Sequence, residues 1–297
     1  MILSGSESQV LAHALSSELD EPVLPLSYRR FADGELIVEV PRDQALPSDV
    51  ILNEDSFSID SRAVIVASTV SPQAHIELLQ LQDLALEGGA DTIVTVIPYL
   101  GYARQDVAHD PGQPVSARGL ANALGASTDR VVTVNPHEES VLDYFPSPAE
   151  SVSAVKSLAA GLHIESERPV IIAPDEGARA LAQELREGIG RGTVDHFEKE
   201  RQGDESVEMR TADTDVAGQE VILIDDTIAT GGTIATAGEL LANNGAETVR
   251  VACVHPLLVG AARTRIRQAG VNQIVGTDTI ERTVSTVSAA SVIAEVL

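Results

Sequence analysis

The 297-residue chain predicts an α/β protein of two similar domains, each a mainly parallel sheet flanked by helices. Three observations carry that expectation. Short apolar runs alternate with amphipathic stretches, which sets strands and helices in turn along the chain. At about 150 residues per domain, the length accommodates two cores. One segment also recurs: "RAVIVASTVSPQAHIELLQLQDLALEGGADTIVTVIPYL" and "QEVILIDDTIATGGTIATAGELLANNGAETVRVACVHPLL" share the order strand, loop, helix, Gly-Ala, strand.

In the first domain, the branched apolar runs at 63–67, 92–97 and 130–134 read as strands, and the amphipathic stretches 75–87 and 115–124 as helices. In the second, strands are expected at 170–172, 219–224 and 248–254, and helices at 178–188 and 233–243. Gly, Asn and Pro punctuate between them. The Pro- and Ser-rich "YFPSPAESVSA" is where the halves would join, dividing residues 1–146 from 147–297. "HFEKERQGDESVEMR" reads as two extended stretches about a polar turn at 202–206, a β-hairpin able to act as a flap.

Charge narrows the function. Acidic residues number 45 against 20 basic ones, for a net charge of −25, and the only lysines are Lys156 and Lys199. Such a field repels nucleic acid and anionic membrane surfaces. The N-terminus "MILSGSESQV" lacks a basic region followed by an apolar run, and no apolar stretch nears the roughly 20 residues of a membrane helix. A soluble, cytoplasmic protein is expected. The acids are spread along the chain with lysine almost absent, which points to a halophilic protein whose self-repulsion is screened by salt. Cys253, the one cysteine, lies in the apolar run "VRVACVHP" and reads as a buried thiol.

The stretch "VILIDDTIATGGTI" sets two like charges beside an apolar run. A strand ending at Ile224 would present Asp225 and Asp226 to a crevice beyond the sheet's carboxyl edge. In the turn that follows, Gly231 and Gly232 permit close backbone approach at a helix start, and Ala229, Thr230 and Thr233 complete a cradle of N–H and hydroxyl donors suited to phosphate. Acids beside a phosphate cradle require a ligand with hydroxyls or a metal as well, as a sugar phosphate offers.

Other stretches carry weaker chemistry. In "FADGE", Phe31, Asp33 and Glu35 would share a face if extended and could hold an adenine; taken alone, the stretch reads as a turn at Asp33 and Gly34. In "ARQD", Arg104 can fork onto a phosphate, Gln105 can hydrogen-bond a nucleotide, and Asp106 can hold an arginine or a metal-bound water. His137 in "NPHEES" alone reads as a structural or solvated imidazole. Asp175 in "APDEGA" follows a strand at a loop whose backbone could face a diphosphate. Spacing of two puts Lys199 and Arg201 on one face of the hairpin, as two cations able to offset charge on a transferring phosphoryl group. No GxxxxGK[ST] loop occurs in the chain.

The phosphate turn resembles the phosphoribosyl-diphosphate signature of type I phosphoribosyltransferases and of ribose-phosphate diphosphokinases. Together with "YRRFADGELIVEV", "PYLGYARQDVAHDPGQPVSARGLANAL", "VNPHEESVLDYF", "VIIAPDEGARALA" and "HFEKERQGDESVEM", in that order, it resembles the diphosphokinase family over nearly the whole chain. The resemblance implies two phosphoribosyltransferase type I-like domains, an ATP- and Mg²⁺-dependent synthesis of phosphoribosyl diphosphate (PRPP) from ribose 5-phosphate, and a homo-oligomer. It implies ATP contacts from Phe31, Asp33, Gly34 and Glu35 made to a neighbouring subunit, further ATP contacts from Arg104, Gln105 and Asp106, and Mg²⁺ ligation by His137 and Asp175. It implies catalysis by Lys199 and Arg201, and ribose 5-phosphate binding by Arg201, Asp225, Asp226, Ala229, Thr230, Gly231, Gly232 and Thr233. A transferase consuming PRPP would share only the C-terminal signature. Val107, Ala178 and Ala229 depart from the common family pattern.

If the acidic surface is a salt adaptation, the unfolding midpoint should rise as KCl is raised into the molar range, because screening relieves like-charge repulsion. A midpoint that stays flat or falls across a KCl series would return the chain to the class of ordinary acidic proteins.

Overall fold

The computed structural model describes residues 1–297 apart from 55, 60, 61, 109, 203–205, 212 and 213; at 199–202 and 206–211 only the backbone is described. Two compact units result. The first comprises Met1–Ser153, Thr279–Glu281 and Ser288–Leu297, and the second Ala154–Asp278 and Arg282–Val287.

In the first unit, β1 (Ile2–Ser4) leads through α1 (Gln9–Leu19) into two small antiparallel hairpins, β2 (Ser27–Arg30) with β3 (Leu36–Glu39) and β4 (Val50–Leu52) with β5 (Phe57–Ile59). Then follow β6 (Ala63–Val66), α2 (Pro72–Glu87), β7 (Ile93–Ile97), α3 (Ser116–Leu124), β8 (Arg130–Val134) and β9 (Ala149–Val152). The sheet is wholly parallel in the order β1-β6-β7-β8-β9. Parallel strands covered on both faces need continuous apolar runs, and β6 and β7 are buried at every position. Helix α2 starts where Ser71 caps it, its hydroxyl accepting from Ala74 N at 3.2 Å, with Pro72 supplying a fixed φ at the first turn.

The second unit runs α4 (Val155–Leu158), β10 (Val170–Ala173), α5 (Arg179–Ile189), β11 (Thr193–Gln202), β12 (Ser206–Thr211), β13 (Glu220–Thr227), α6 (Gly232–Asn243), β14 (Thr248–His255), α7 (Ala262–Gln268), β15 (Gln273–Thr277) and β16 (Ser285–Val287). Its seven strands lie in the order β12-β11-β10-β13-β14-β15-β16, with only β12 antiparallel to its neighbour. Val221, Ile222, Leu223 and Ile224 of β13 are fully buried, worth about 1.5–3 kcal/mol per side chain in apolar burial. At the amino end of β13, Glu220 is buried against the Arg250 guanidinium of β14 and accepts Glu165 N at 3.0 Å and Ser166 N at 2.6 Å, so neither charge is left uncompensated. A last helix, α8 (Ala290–Ala294), belongs to the first unit.

The α/β class holds, and the repeated segments are equivalent: β6-α2-β7 and β13-α6-β14 each place a helix between adjacent parallel strands. Two readings are corrected. Strand β13 does not stop at Ile224 but runs to Thr227, because β14 continues beside it, pairing Asp225 with Cys253 and Thr227 with His255. The "YFPSPAESVSA" stretch is not only a connection: it contains β9, which pairs parallel with β8 through Ala149 and Val131 to Val152 and Val134. The expected division after residue 146 thus falls ahead of a strand of the first sheet.

Candidate active site

Within the second unit the strand order reverses between β10 and β13. The chain leaves β10 for β11 on one side and leaves β13 for β14 on the other, while β10 and β13 pair directly. At such a reversal the loops beyond the carboxyl ends of the two strands diverge and leave a crevice. Both loops here carry candidate residues.

After β13, the chain makes a turn anchored from behind. Ile228 N donates to His255 O at 3.2 Å, Leu258 N to Ile228 O at 2.9 Å and Val259 N to Ala229 O at 3.0 Å, so the segment after β14 templates the turn's backbone. Gly231 caps α6 with φ 72, and a Cβ there would lie 2.9 Å from Ile266 Cδ1 of α7. Glycine is needed both for the left-handed conformation and for the close helix approach. Among the described residues, the backbone N–H groups of Thr230, Gly231, Gly232 and Thr233 donate to nothing. They form a set of open donors at the positive end of α6, the environment an anion seeks.

Asp225 and Asp226 precede this turn, both half-buried. Both remain in the strand, where successive side chains diverge, and that divergence lessens the repulsion that adjacency implies. Thr227 Oγ1 donates to Asp226 Oδ2 at 3.2 Å. Cys253, cross-strand from Asp225, is fully buried as expected, and its thiol pKa is pushed well up, chiefly by burial and then by the charge of Asp225. The neighbouring thiol therefore stays protonated and inert.

After β10, Asp175 Oδ1 accepts Ala178 N at 3.1 Å and closes the loop ahead of α5. Glu176 and Gly177 are exposed, and their N–H groups donate to nothing among the described residues. A second, smaller set of open N–H donors thus follows the neighbouring strand. Strand β11 pairs with β10 only as far as His196 opposite Ala173, then continues to Gln202 paired with β12 alone. The hairpin expected from sequence is present and extends past the sheet's carboxyl edge. Lys199 and Arg201 lie on its backbone, opposite Met209 and Val207; their side chains, and the tip at 203–205, fall outside the described residues. At the hairpin's base Asp195, 3% exposed, accepts His196 N at 2.8 Å and Thr214 N at 2.9 Å, tying its two arms together.

The first unit carries the other candidates. Phe31, Asp33, Gly34 and Glu35 form the exposed turn of the β2–β3 hairpin: Phe31 N donates to Glu35 O at 2.8 Å, Gly34 N to Phe31 O at 2.9 Å, and Glu35 N to Asp33 Oδ1 at 3.1 Å. The extended, one-faced arrangement does not form, since Gly34 at φ 94 and the Asp33 side chain favour the turn. The Arg29 guanidinium lies 4.8 Å from the Phe31 ring centroid. Arg104, Gln105 and Asp106 follow β7 in a loop held by Thr69, whose Oγ1 accepts Gly101 N at 2.8 Å, and by Tyr144, whose hydroxyl donates to Asp106 O at 3.0 Å. The Tyr102 ring meets the buried His75 ring edge-on at 5.7 Å, and burial lowers the His75 pKa. His137 follows β8 and is exposed.

Sequence reasoning had no sign of Asp195, Thr227 or Arg265. Arg265 Nη1 of α7 donates to Thr230 O at 2.8 Å, a contact with no local signature. A buried acid at the foot of a predicted hairpin could have singled out Asp195.

Comparisons with known proteins bear on the family and the fold. Residues 1–127 match the model of the N-terminal domain of ribose phosphate pyrophosphokinase, and residues 147–286 that of the phosphoribosyl transferase domain. A ribose-phosphate pyrophosphokinase of Halobacterium salinarum is 48% identical over 298 residues, covering 100% of both chains. One from Methanosarcina mazei is 43% identical, covering 100% of this chain and 94% of its own. The crystal structure of a phosphoribosylpyrophosphate synthetase from Mycobacterium smegmatis superposes with a TM-score of 0.80 at 29% identity, covering 100% of this chain and 96% of the other.

Replacing Gly231 with Ala should destabilise the protein by about 2 kcal/mol, since a Cβ meets both an unfavourable φ and Ile266. Chemical denaturation of Gly231→Ala against wild type measures this; an unchanged midpoint would show that α7 is not packed against the turn as described.

Proposed function

The chain belongs to the ribose-phosphate pyrophosphokinase family, and on that premise we propose how its own residues carry the family's reaction. The diphosphoryl group of ATP passes to the 1-hydroxyl of ribose 5-phosphate, giving PRPP and AMP. The observation that carries the assignment of residues is the turn after β13, with four backbone donors open beside two carboxylates at the strand-order reversal. In this reading the N–H groups of Ala229, Thr230, Gly231, Gly232 and Thr233, with the two threonine hydroxyls, hold the 5-phosphate. Asp225 and Asp226 receive the ribose hydroxyls, and the loop after Asp175 receives the diphosphate as it forms. Binding both reactants converts the attack of the 1-hydroxyl on the β-phosphorus into an oriented, in-line step. Lys199 and Arg201, carried on the ribbon beyond the sheet edge, offset the charge that spreads over the transferring group, Arg201 also reaching the sugar phosphate.

Phe31, Asp33, Gly34 and Glu35 supply adenine contacts to a neighbouring copy in a homo-oligomer; the exposure of Phe31 at 43% on a hairpin tip supports a role outside its own unit. Arg104 forks onto the ATP phosphates, Gln105 hydrogen-bonds the nucleotide, and Asp106 completes the ATP contacts by holding an arginine or a metal-bound water. The donor set suits Mg²⁺, which is held by few protein ligands together with waters and phosphates: Asp175 offers a hard carboxylate oxygen at one magnesium position, and His137 is assigned to another. Among the described residues no group of three or more His, Cys, Asp or Glu is gathered into a metal cage, which suits an ion that arrives with its nucleotide. When bound, Mg²⁺ supplies charge neutralisation on the phosphates. No helix among the described residues is long and apolar enough to cross a membrane, and a cytoplasmic, salt-adapted enzyme fits the net charge of −25.

Incubation with ATP, Mg²⁺ and ribose 5-phosphate should yield AMP and PRPP in equal amounts. ADP with a ribose bisphosphate would make the protein an ordinary kinase, and base-dependent PRPP cleavage without ATP use would make it a transferase.

Because Lys199 is assigned to the transition state, Lys199→Ala should lower kcat by about 10² or more with little change in melting temperature. Mixing that chain with a Phe31→Ala chain should restore part of the activity by pairing one intact half-site from each. A nearly fully active Lys199→Ala protein removes the flap from the mechanism, and well-mixed chains that recover nothing confine the adenine contacts to one subunit.

A further inference from the structure

The phosphate turn contains no cation of its own. The residues from Asp225 to Thr233 carry two acids and no base, yet they are asked to hold a dianionic phosphate in a protein of net charge −25. The described structure brings one guanidinium to this turn from another part of the chain: Arg265 Nη1 donates to Thr230 O at 2.8 Å. The bonded carbonyl belongs to the peptide whose N–H is that of Gly231, one of the four open donors. A cation on the carbonyl side of a peptide polarises it and strengthens the N–H on the other side, since hydrogen bonds in a chain reinforce one another. The bond is also charge-assisted, the stronger class. Arg265 sits on the helix whose Ile266 packs against Gly231 and whose Ala262 carbonyl lies just behind it, so the guanidinium is held at the turn by the same contact that requires glycine there. Its side chain is exposed and has no further hydrogen bond among the described residues.

Resting on the proposed ribose 5-phosphate site, we infer that Arg265 is a positioning residue for the 5-phosphate: it fixes the Thr230–Gly231 peptide and supplies, through that peptide, the positive charge the turn lacks. Its effect falls on the phosphate end of the sugar and leaves the ATP side alone. Arg265→Ala should raise KM for ribose 5-phosphate about ten-fold while KM for ATP, kcat and melting temperature change less than about two-fold or by about two degrees. Arg265→Lys, which keeps the cation, should recover most of the loss; Arg265→Gln, which keeps a donor without charge, should recover little. The same order should appear in the inhibition constant of inorganic phosphate competing with ribose 5-phosphate. An unchanged KM for ribose 5-phosphate in Arg265→Ala would overturn the inference, as would equal shifts in both KM values with a lowered melting temperature, which would mark a merely structural residue. Wild-type protein that makes no PRPP would sink the underlying reading instead. Calorimetric binding of inorganic phosphate to wild type and Arg265→Ala then decides whether Arg265 serves the turn, equal affinities overturning it.

Discussion

The reversal of strand order between β10 and β13 is the constraint on which the rest of the second unit depends. Two parallel strands whose continuations run to opposite sides cannot have their following loops packed over each other, so the sheet's carboxyl edge stays open at that point. The first unit has the same βαβ building block but runs β6, β7, β8 and β9 in one direction without a reversal. Its loops after β7 and β8 are therefore lateral neighbours rather than the walls of a crevice. This gives a physical reason why only one of two related halves carries the paired acids and the glycine turn of open donors: the other half has no opening of that kind for them to line.

An open edge is useful only if the loops that border it are rigid. Around β13 the rigidity comes from the segment following β14, which bonds Ile228 and Ala229 through Leu258 and Val259 and presses α7 against Gly231. The turn is held without using the N–H groups of Thr230 to Thr233, so its donors stay available while its shape is fixed. Asp195 performs a comparable service at the hairpin, accepting one N–H from each arm. Beyond His196 the two strands pair only with each other.

Much of this was legible in the sequence, and the parts that were not share a cause. The glycine turn ahead of α6, the helices expected at 75–87 and 233–243, and the two paired strands of the hairpin are encoded by neighbours in the chain, where turn chemistry and periodicity act; the first turn of α2, from Pro72, lies ahead of the expected start. The extent of β13 was misjudged because two aspartates argue locally against a strand, whereas the ladder to Cys253 and His255 decides the matter. Strand β9 is half-exposed along its length and lies in a Pro- and Ser-rich stretch, so nothing but its pairing with β8 reveals it. In "FADGE" the turn at Asp33 and Gly34 forms in place of the extended arrangement, with the Asp33 carboxylate accepting Glu35 N. The Arg265 contact spans 35 residues and has no periodicity to betray it.

The charge of the chain bears on how it can recognise its ligands at all. Every substrate in the proposed reaction is a polyanion approaching a protein of net charge −25, so the long-range field opposes association. In molar salt the Debye length shrinks to about 3 Å, and that opposition disappears together with any long-range attraction. What remains effective are groups in contact with the ligand or one peptide away: open N–H donors, hydroxyls, and cations placed within hydrogen-bond distance. A chain with two lysines and its remaining cations as arginine is suited to this regime, because a guanidinium's fork works through directed hydrogen bonds as well as charge. On this view the abundant surface acid and a proposed phosphate site built mainly from backbone donors are two consequences of one condition, and Arg265, bonded to Thr230 O behind the turn, is a cation placed one peptide away from an open donor.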